Sequence, residues 1–352
     1  MKVYIVTQTF PPKIGGMQIL MSSIAQGLSK LSFDVHVFPD HYYDSSNCNY
    51  KVYNSFAPKI IRPLIKKTNI YFRSIGNEIF ICDSWKSVSS VPRNESKIIC
   101  FALAQELFVR KQKNTKIQKA FNRCNKIIPI SNFTYSKIKS DWVVDENKIR
   151  IINPTFSVKS KKVSNKKTKR KLLIIFSLCR IEKRKGLFQV ANSLIRLKKI
   201  LPEFKWFIGG TGPEENKLKK LVFDSCIAKN VIFEGKISEK KKDKIFRKTD
   251  LFIMPSYQEG NSIEGYGITF SEAASYGIPS IGGIEGGAGD AIINNMTGWC
   301  INPKSNKEID SIVLEALNNN IKRLQFGKNA LKYFNQNQTS HKVFKKLINL
   351  FN

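Results

Sequence analysis

Apolar and polar positions along this chain alternate between short apolar runs and longer amphipathic stretches. Residues 2–6 read as a strand, and Phe10-Pro11-Pro12-Lys13-Ile14-Gly15-Gly16 is rich in turn formers. Ile19, Leu20, Ile24, Leu28 and Leu31 then follow at spacings of one, four, four and three, which predicts one buried helix face. Val35–Phe38, Lys97–Leu103 and Ile127–Ile130 read as further strands, the last two each followed by a helical stretch. Residues 41–96 mix Asn, Ser, Pro and short apolar clusters, and the pattern assigns them no element. After Asn153-Pro154, residues 157–171 hold only two apolar side chains. The pattern then restarts with strand Leu172–Phe176, a helix over 186–200, strand Lys205–Ile208 and a glycine turn at 209–213. A helix, strand Val231–Phe233, another helix, strand Leu251–Met254, a helix near 270–276 and strand Ile278–Ile281 complete it. Strands alternating with helices predict right-handed βαβ units and parallel sheets.

The fold class expected is therefore α/β, with two doubly wound Rossmann-like domains and a cleft between them. The first domain is placed at 1–155, a basic linker at 156–171 and the second domain at 172–335. A C-terminal helix at about 336–352 is expected to pack back on the first domain. A chain of 352 residues has room for two domains, and 42% hydrophobic with 24% charged residues excludes wholesale disorder.

Charge narrows the choice of partners. Lys and Arg number 59 against 27 Asp and Glu, a net charge of +32, spread along the chain apart from the local excess in the linker. That balance suits an anionic partner: a phosphorylated substrate, an acidic membrane surface or a nucleic acid. No basic–aromatic interleaving or recognisable module supports nucleic acid, so none is expected. Seven scattered cysteines without a C-x-x-C pair argue against a disulfide framework or a zinc site. With no signal-like or membrane-spanning run, the expected location is cytoplasmic, peripheral on the inner face of the cell membrane. The segment at Lys59–Lys67 sets Ile60, Ile61, Leu64 and Ile65 among cations and suits an anionic surface. A core helix interrupted at Pro63 is the competing reading.

Candidate chemistry concentrates in the second half. Glu264-Gly265-Tyr266-Gly267-Ile268-Thr269-Phe270-Ser271-Glu272 sets two carboxylates around a glycine-broken loop that enters a helix. The amides of Gly267, Ile268 and Thr269 would form an anion site at the helix start. On spacing alone, a loop with an acidic cap and a solvated Glu reads as well. Arg180 and Lys185, in Arg180-Ile181-Glu182-Lys183-Arg184-Lys185-Gly186, stand at a strand end and a helix start, where two cations can converge on a diphosphate. Lys183 and Arg184 read as solvated. Gly209-Gly210-Thr211-Gly212-Pro213-Glu214 reads as a strand-to-helix turn.

Taken in order, these segments resemble the retaining glycosyltransferases of GT-B fold in the large sucrose synthase and mannosyltransferase-like family. Phe233-Glu234-Gly235, Pro255-Ser256, Gly277-Ile278-Pro279, Gly286-Gly287-Ala288-Gly289-Asp290-Ala291 and Thr297-Gly298 fit the same pattern. Phe10-Pro11-Pro12 with Gly15-Gly16 resembles the family's N-terminal glycine loop. The resemblance implies transfer of a hexose from a GDP- or UDP-linked sugar to a polyprenol-linked or lipopolysaccharide/O-antigen-type acceptor, without a metal or added cofactor. Arg180 and Lys185 would hold the donor diphosphate, with the Gly15–Gly16 loop and the amides of Gly16, Gly267, Ile268 and Thr269. Glu264 would bind the donor sugar, Glu272 the ribose, and Ile237 would lie against the base. No D-x-D pair occurs, and in this family side chains and helix dipoles meet the charge of the leaving diphosphate.

One position departs from the family. Its first domain carries a histidine facing the donor sugar, where Phe101-Ala102-Leu103-Ala104-Gln105-Glu106 here puts Leu103, with Glu106 close by. Backbone groups and Glu106 meeting that role, a changed donor preference, or a catalytically silent subunit that binds a partner transferase would each account for it. His36, His41 and His341 read as structural or solvated.

Overall fold

A computed structural model describes every residue except 13, 14, 45, 47, 55–57, 59, 109–113 and 157–171. Residues 157–171 of the basic linker, and Lys59, lie outside the described residues. The chain divides into two units, Met1–Val158 with Gln338–Asn352, and Lys159–Asn337.

The first unit is built on strands that are apolar on both faces, as a covered parallel sheet requires. Its elements are β1 (Lys2–Thr7), α1 (Gly16–Lys30), β2 (Asp34–Pro39), β3 (Lys51–Val52), α2 (Arg62–Tyr71) and β4 (Ile79–Cys82). They continue with α3 (Trp85–Val88), β5 (Lys97–Ala102), α4 (Ala104–Leu107), α5 (Asn114–Arg123), β6 (Lys126–Pro129) and α6 (Asn132–Asp141). All pairings are parallel, in the order β3-β2-β1-β4-β5-β6. The order reverses between β1 and β4, the switch point at which open α/β sheets leave a crevice. Asp83 closes the strands there. Its carboxylate accepts from Thr7 Oγ1 (2.8 Å), Gln8 N–H (2.7 Å), Ser87 Oγ (2.6 Å) and Ser84 Oγ (3.2 Å). Burial pushes this carboxyl above the ordinary range, and the four donors offset part of that cost.

The second unit repeats the plan. Its elements are β7 (Leu173–Leu178), α7 (Leu187–Leu197), β8 (Phe204–Gly209), α8 (Glu215–Phe223), β9 (Val231–Gly235), α9 (Glu239–Phe246) and β10 (Leu251–Met254). After these come α10 (Ile268–Ser275), β11 (Ser280–Gly283), α11 (Ala288–Ala291), β12 (Gly298–Ile301), α12 (Asn306–Asn318) and α13 (Asn320–Asn337). The sheet order is β12-β11-β10-β7-β8-β9, with its reversal between β10 and β7. Trp206 and Trp299 are fully buried in its core. Each indole N–H finds an acceptor, Ser177 Oγ at 3.0 Å and Glu315 Oε2 at 3.2 Å. The α/β class with two doubly wound sheets is the one the sequence pattern predicts.

The structure also departs from that pattern. Residues 41–96, assigned no element, contain β3, α2, β4 and α3. β4 is only four residues long and becomes a strand because β1 and β5 pair with both its edges. Leu31 is not on the buried helix face: α1 ends at Lys30 and Leu31 is exposed. Pro63 does not interrupt a helix but lies in the first turn of α2, where its missing N–H costs nothing. Lys66, counted among the surface cations, is buried and ion-paired with Asp40. The outer side of this segment mixes apolar side chains with the exposed Lys67 and Arg73: Ile60 is 92% exposed, Ile61, Leu64, Tyr71, Phe72 and Ile75 are exposed as well, and Ile65 is half-buried.

The chain ends on the first unit with α14 (Ser340–Ile348). Phe344 fills the space that Gly27 leaves on α1, where a Cβ would stand 2.1 Å from the ring. Lys97 Nζ donates to the Phe351 and Asn352 carbonyls at 3.0 and 2.6 Å. Phe344→Ala should therefore cost about 3 kcal/mol, the cost of emptying a packed aromatic site. Chemical denaturation with separate reporters in each unit checks this, and the loss should fall on the first unit.

Candidate active site

The loops leaving β7 and β10 meet at the switch point of the second sheet. After Leu178, residues 179–182 lead into a 3-10 turn over Lys183–Lys185, and Gly186 caps α7 at φ +74°. A Cβ on residue 186 would stand 2.2 Å from the Pro255 carbonyl oxygen, so the two loops touch because this position is glycine. The Tyr257 N–H adds a bond to the Arg184 carbonyl at 2.9 Å.

This closure brings cations onto Glu264. Lys185 ion-pairs with Glu264 Oε2, and Arg184 Nη1 lies 3.5 Å from the same oxygen. Arg184 Nε reaches Glu182 at 2.9 Å. Burial pushes the Glu264 carboxyl up, but the Lys185 ammonium and the Arg184 guanidinium outweigh it and hold the group below the usual carboxylate range. Lys183 is exposed, as its polar run predicts, whereas Arg184 is buried and not solvated. The run Lys183-Arg184-Lys185 carries no signal for which cation turns inward; the 3-10 turn decides it. Arg180 stays at the rim, its side chain 70% exposed and 3.1 Å from Glu182 Oε1.

Glu264 is also held through its backbone. Its carbonyl accepts from the Gly287 N–H at 2.9 Å, and a Cβ on Gly286 would stand 2.4 Å from that carbonyl oxygen. Gly267 caps α10 with a left-handed backbone. Among the described residues, the first bond of this turn runs from the Phe270 N–H to the Gly267 carbonyl at 2.9 Å, which leaves the N–H groups of Gly267, Ile268 and Thr269 ahead of it, and Ile268 and Thr269 are half-buried. The start of α10 thus presents open donors and the positive end of a helix dipole to an anion.

Glu272 lies one turn into α10 and is buried. Lys242 of α9 reaches its Oε1 at 2.5 Å, a partner the sequence reading missed because nothing in Lys240-Lys241-Lys242 distinguishes one lysine. Ile237 is half-buried, its Cδ1 3.0 Å from where a Cβ on Gly209 would be.

The family of glycosyl transferases group 1 matches residues 158–333, half of the chain. This chain belongs to that family. Among curated relatives, a GDP-mannose-dependent α-(1-6)-phosphatidylinositol monomannoside mannosyltransferase of Mycobacterium tuberculosis is 30% identical over 145 residues. The match covers 41% of this chain and 38% of that relative, so the chain matches less than half of the relative's length. An uncharacterised glycosyltransferase of Methanocaldococcus jannaschii is 23% identical across 99% of both chains. HepE of Anabaena, solved with UDP, superposes with a TM-score of 0.81 at 14% identity over 99% of each chain. The lipopolysaccharide outer core galactosyltransferase WaaB gives 0.74 at 17% identity over 99% of each chain. These structural likenesses establish the GT-B fold for this chain.

The remaining candidates belong to the first unit. Gly15, in extended conformation, caps α1, and Gly16 is its first residue. Leu103 caps α4 at the carboxyl end of β5 and is half-buried. Glu106 Oε2 is 3.4 Å from Lys86 Nζ, and the Glu106 carbonyl accepts from Trp85 Nε1 at 3.2 Å. His36 lies 3.0 Å from Asp34, His41 bonds the Phe10 carbonyl at 2.7 Å, and His341 is exposed.

The glycine at 286 should be intolerant of a side chain. With φ at +85° and the Glu264 carbonyl in the way, Gly286→Ala should destabilise by about 1–3 kcal/mol. Gly289→Ala, where a Cβ meets nothing within 4 Å, is the control and should stay within about 0.5 kcal/mol of the parent. Thermal unfolding of the two variants side by side checks the pair.

Proposed function

We propose that this glycosyltransferase moves a hexose, with retention, from a GDP- or UDP-linked sugar to a polyprenol-linked or lipopolysaccharide-type acceptor. The observation that carries the reading is the Lys185–Glu264 ion pair beside the open amides at the start of α10. Lys185 has three N–H donors and can bond a phosphate oxygen while keeping Glu264. Arg180, exposed at the rim, supplies a second cation to the diphosphate. The Gly267, Ile268 and Thr269 amides add donors. Glu264 accepts from donor-sugar hydroxyls, Glu272 from the ribose, and Ile237 packs on the base. As the glycosidic bond breaks, negative charge grows on the departing nucleoside diphosphate, and these fixed positive groups stabilise it most in the transition state. The acceptor then attacks the face that the leaving group vacates, and the configuration is retained. The carboxylates bind and orient here and do not act as the acid and nucleophile of a glycosidase.

GDP-mannose is named for the mycobacterial relative and UDP for the Anabaena structure, so both bases belong in the assay. Purified protein incubated with a panel of GDP- and UDP-sugars should release free nucleoside diphosphate. Lys185→Ala should lower that rate by about 10²-fold, the loss expected when a preorganised charge donor is removed. A change within about threefold would remove Lys185 from the diphosphate site. Leu103 favours a second reading, a silent subunit, because a leucine gives a sugar hydroxyl no donor. That reading requires bound nucleotide with no turnover of any sugar in the panel.

An anionic membrane surface is the partner proposed for the segment around α2. No helix among the described residues is long and apolar enough to cross a membrane. The exposed Ile60, Leu64, Phe72 and Ile75 suit shallow insertion, and the net charge of +32 suits acidic headgroups. Co-sedimentation with phosphatidylglycerol vesicles at low salt should exceed that with neutral vesicles. Ile60→Ser with Leu64→Ser and Phe72→Ser should weaken it about tenfold or more without changing the unfolding temperature. Equal binding to neutral and anionic vesicles would refute the electrostatic part.

A further inference from the structure

Lys242 is joined to the candidate site by geometry that none of the roles above uses. Its side chain is 15% exposed and its Nζ lies 2.5 Å from Glu272 Oε1, with Glu239 Oε1 at 3.0 Å. Glu239 is itself almost fully exposed, so Glu272 is the buried partner. Burial pushes the Glu272 carboxyl above its ordinary range, and the Lys242 ammonium pulls against that rise. Burial likewise disfavours the charged Lys242, yet Glu272 and Glu239 hold its ammonium above the ordinary lysine range. Each group therefore offsets part of the other's desolvation. Lys242 also belongs to α9, which begins two residues after Ile237, so one helix links the loop assigned to the base with the carboxylate assigned to the ribose.

We propose that Lys242 is a positioning residue for the nucleotide: its direct contact with the Glu272 carboxylate fixes that group's orientation, so that its two oxygens accept the ribose 2′- and 3′-hydroxyls. This rests on the reading of Glu272 as the ribose carboxylate. A protonated Glu272 would offer a donor where two hydroxyl donors arrive, and a rotated one would meet only one of them. The role is separable from mere attachment of α9. A neighbouring bond, Tyr276 Oη to Asp243 Oδ1 at 2.7 Å, docks the same two helices through a different pair of side chains.

Calorimetry of the full chain with UDP and GDP, each beside its 2′,3′-dideoxy form, tests the idea. The parent should prefer the ribonucleotide. Lys242→Met should lower ribonucleotide affinity about tenfold and leave dideoxynucleotide affinity unchanged, while Lys242→Arg should restore most of the preference. Tyr276→Phe should leave the preference as in the parent. If the parent prefers the ribonucleotide and Lys242→Met does too, Lys242 has no such role while Glu272 keeps its own. An equal loss for both forms in Lys242→Met, or loss of the preference in Tyr276→Phe, would make Lys242 a structural tie and overturn the proposal. A parent indifferent to the hydroxyls would overturn the ribose reading of Glu272 first, and the role of Lys242 with it. No binding of any of the four would overturn the donor site as a whole.

Discussion

A carboxylate taken out of water beside two cations organises the second unit. Desolvating an ion costs several kcal/mol, and Glu264 meets that cost through Lys185 and Arg184, with Glu182 closing the other side of Arg184. Counting Arg180, Arg184 and Lys185 against Glu182 and Glu264, the cluster holds three positive and two negative charges. It keeps one positive charge in excess at the mouth of a helix whose first amides are open, an arrangement suited to an anion. The pairing also specifies backbone: Lys185 reaches Glu264 because the loops after β7 and β10 press together at Gly186, and Glu264 stays in place because Gly286 and Gly287 approach its carbonyl.

Both sheets place their polar residues by the same topological rule. Reversal of strand order at β1/β4 and at β7/β10 opens a crevice at the carboxyl ends of the strands. The two crevices are then stabilised differently. In the first unit Asp83 is buried with hydroxyl and amide donors around it, a neutral-donor knot that ties β1 to β4. In the second, the corresponding place is filled by ion pairs. Hydroxyl and amide donors tie the strands but bring no positive charge, whereas the ion-pair cluster keeps a positive field for a ligand.

The surface of α2 shows how the same residue types can be arranged against expectation. Within it Lys66 points in while Leu64 points out with Lys67, because Asp40 offers Lys66 a buried partner and the sheet covers only one side of the helix, where Ile70 is buried. An amphipathic pattern tells that a helix has two faces; the neighbouring strand decides which of them is covered.

Sequence by itself determined the class of the fold, the restart of the pattern in the second half and the positions of Lys185, Glu264, Gly267 and Glu272 on loops and helix starts. These follow from local rules: apolar runs pair as strands, and glycines mark tight turns and close approaches. Tertiary structure decided what those rules cannot carry. Arg184 turns inward to a carboxylate 80 residues away, Lys242 finds Glu272 from 30 residues away, and β4 is a strand only between β1 and β5. A charged side chain has no intrinsic facing within its own segment. Its direction is set by the partner that offsets its desolvation, and only the folded chain brings that partner near.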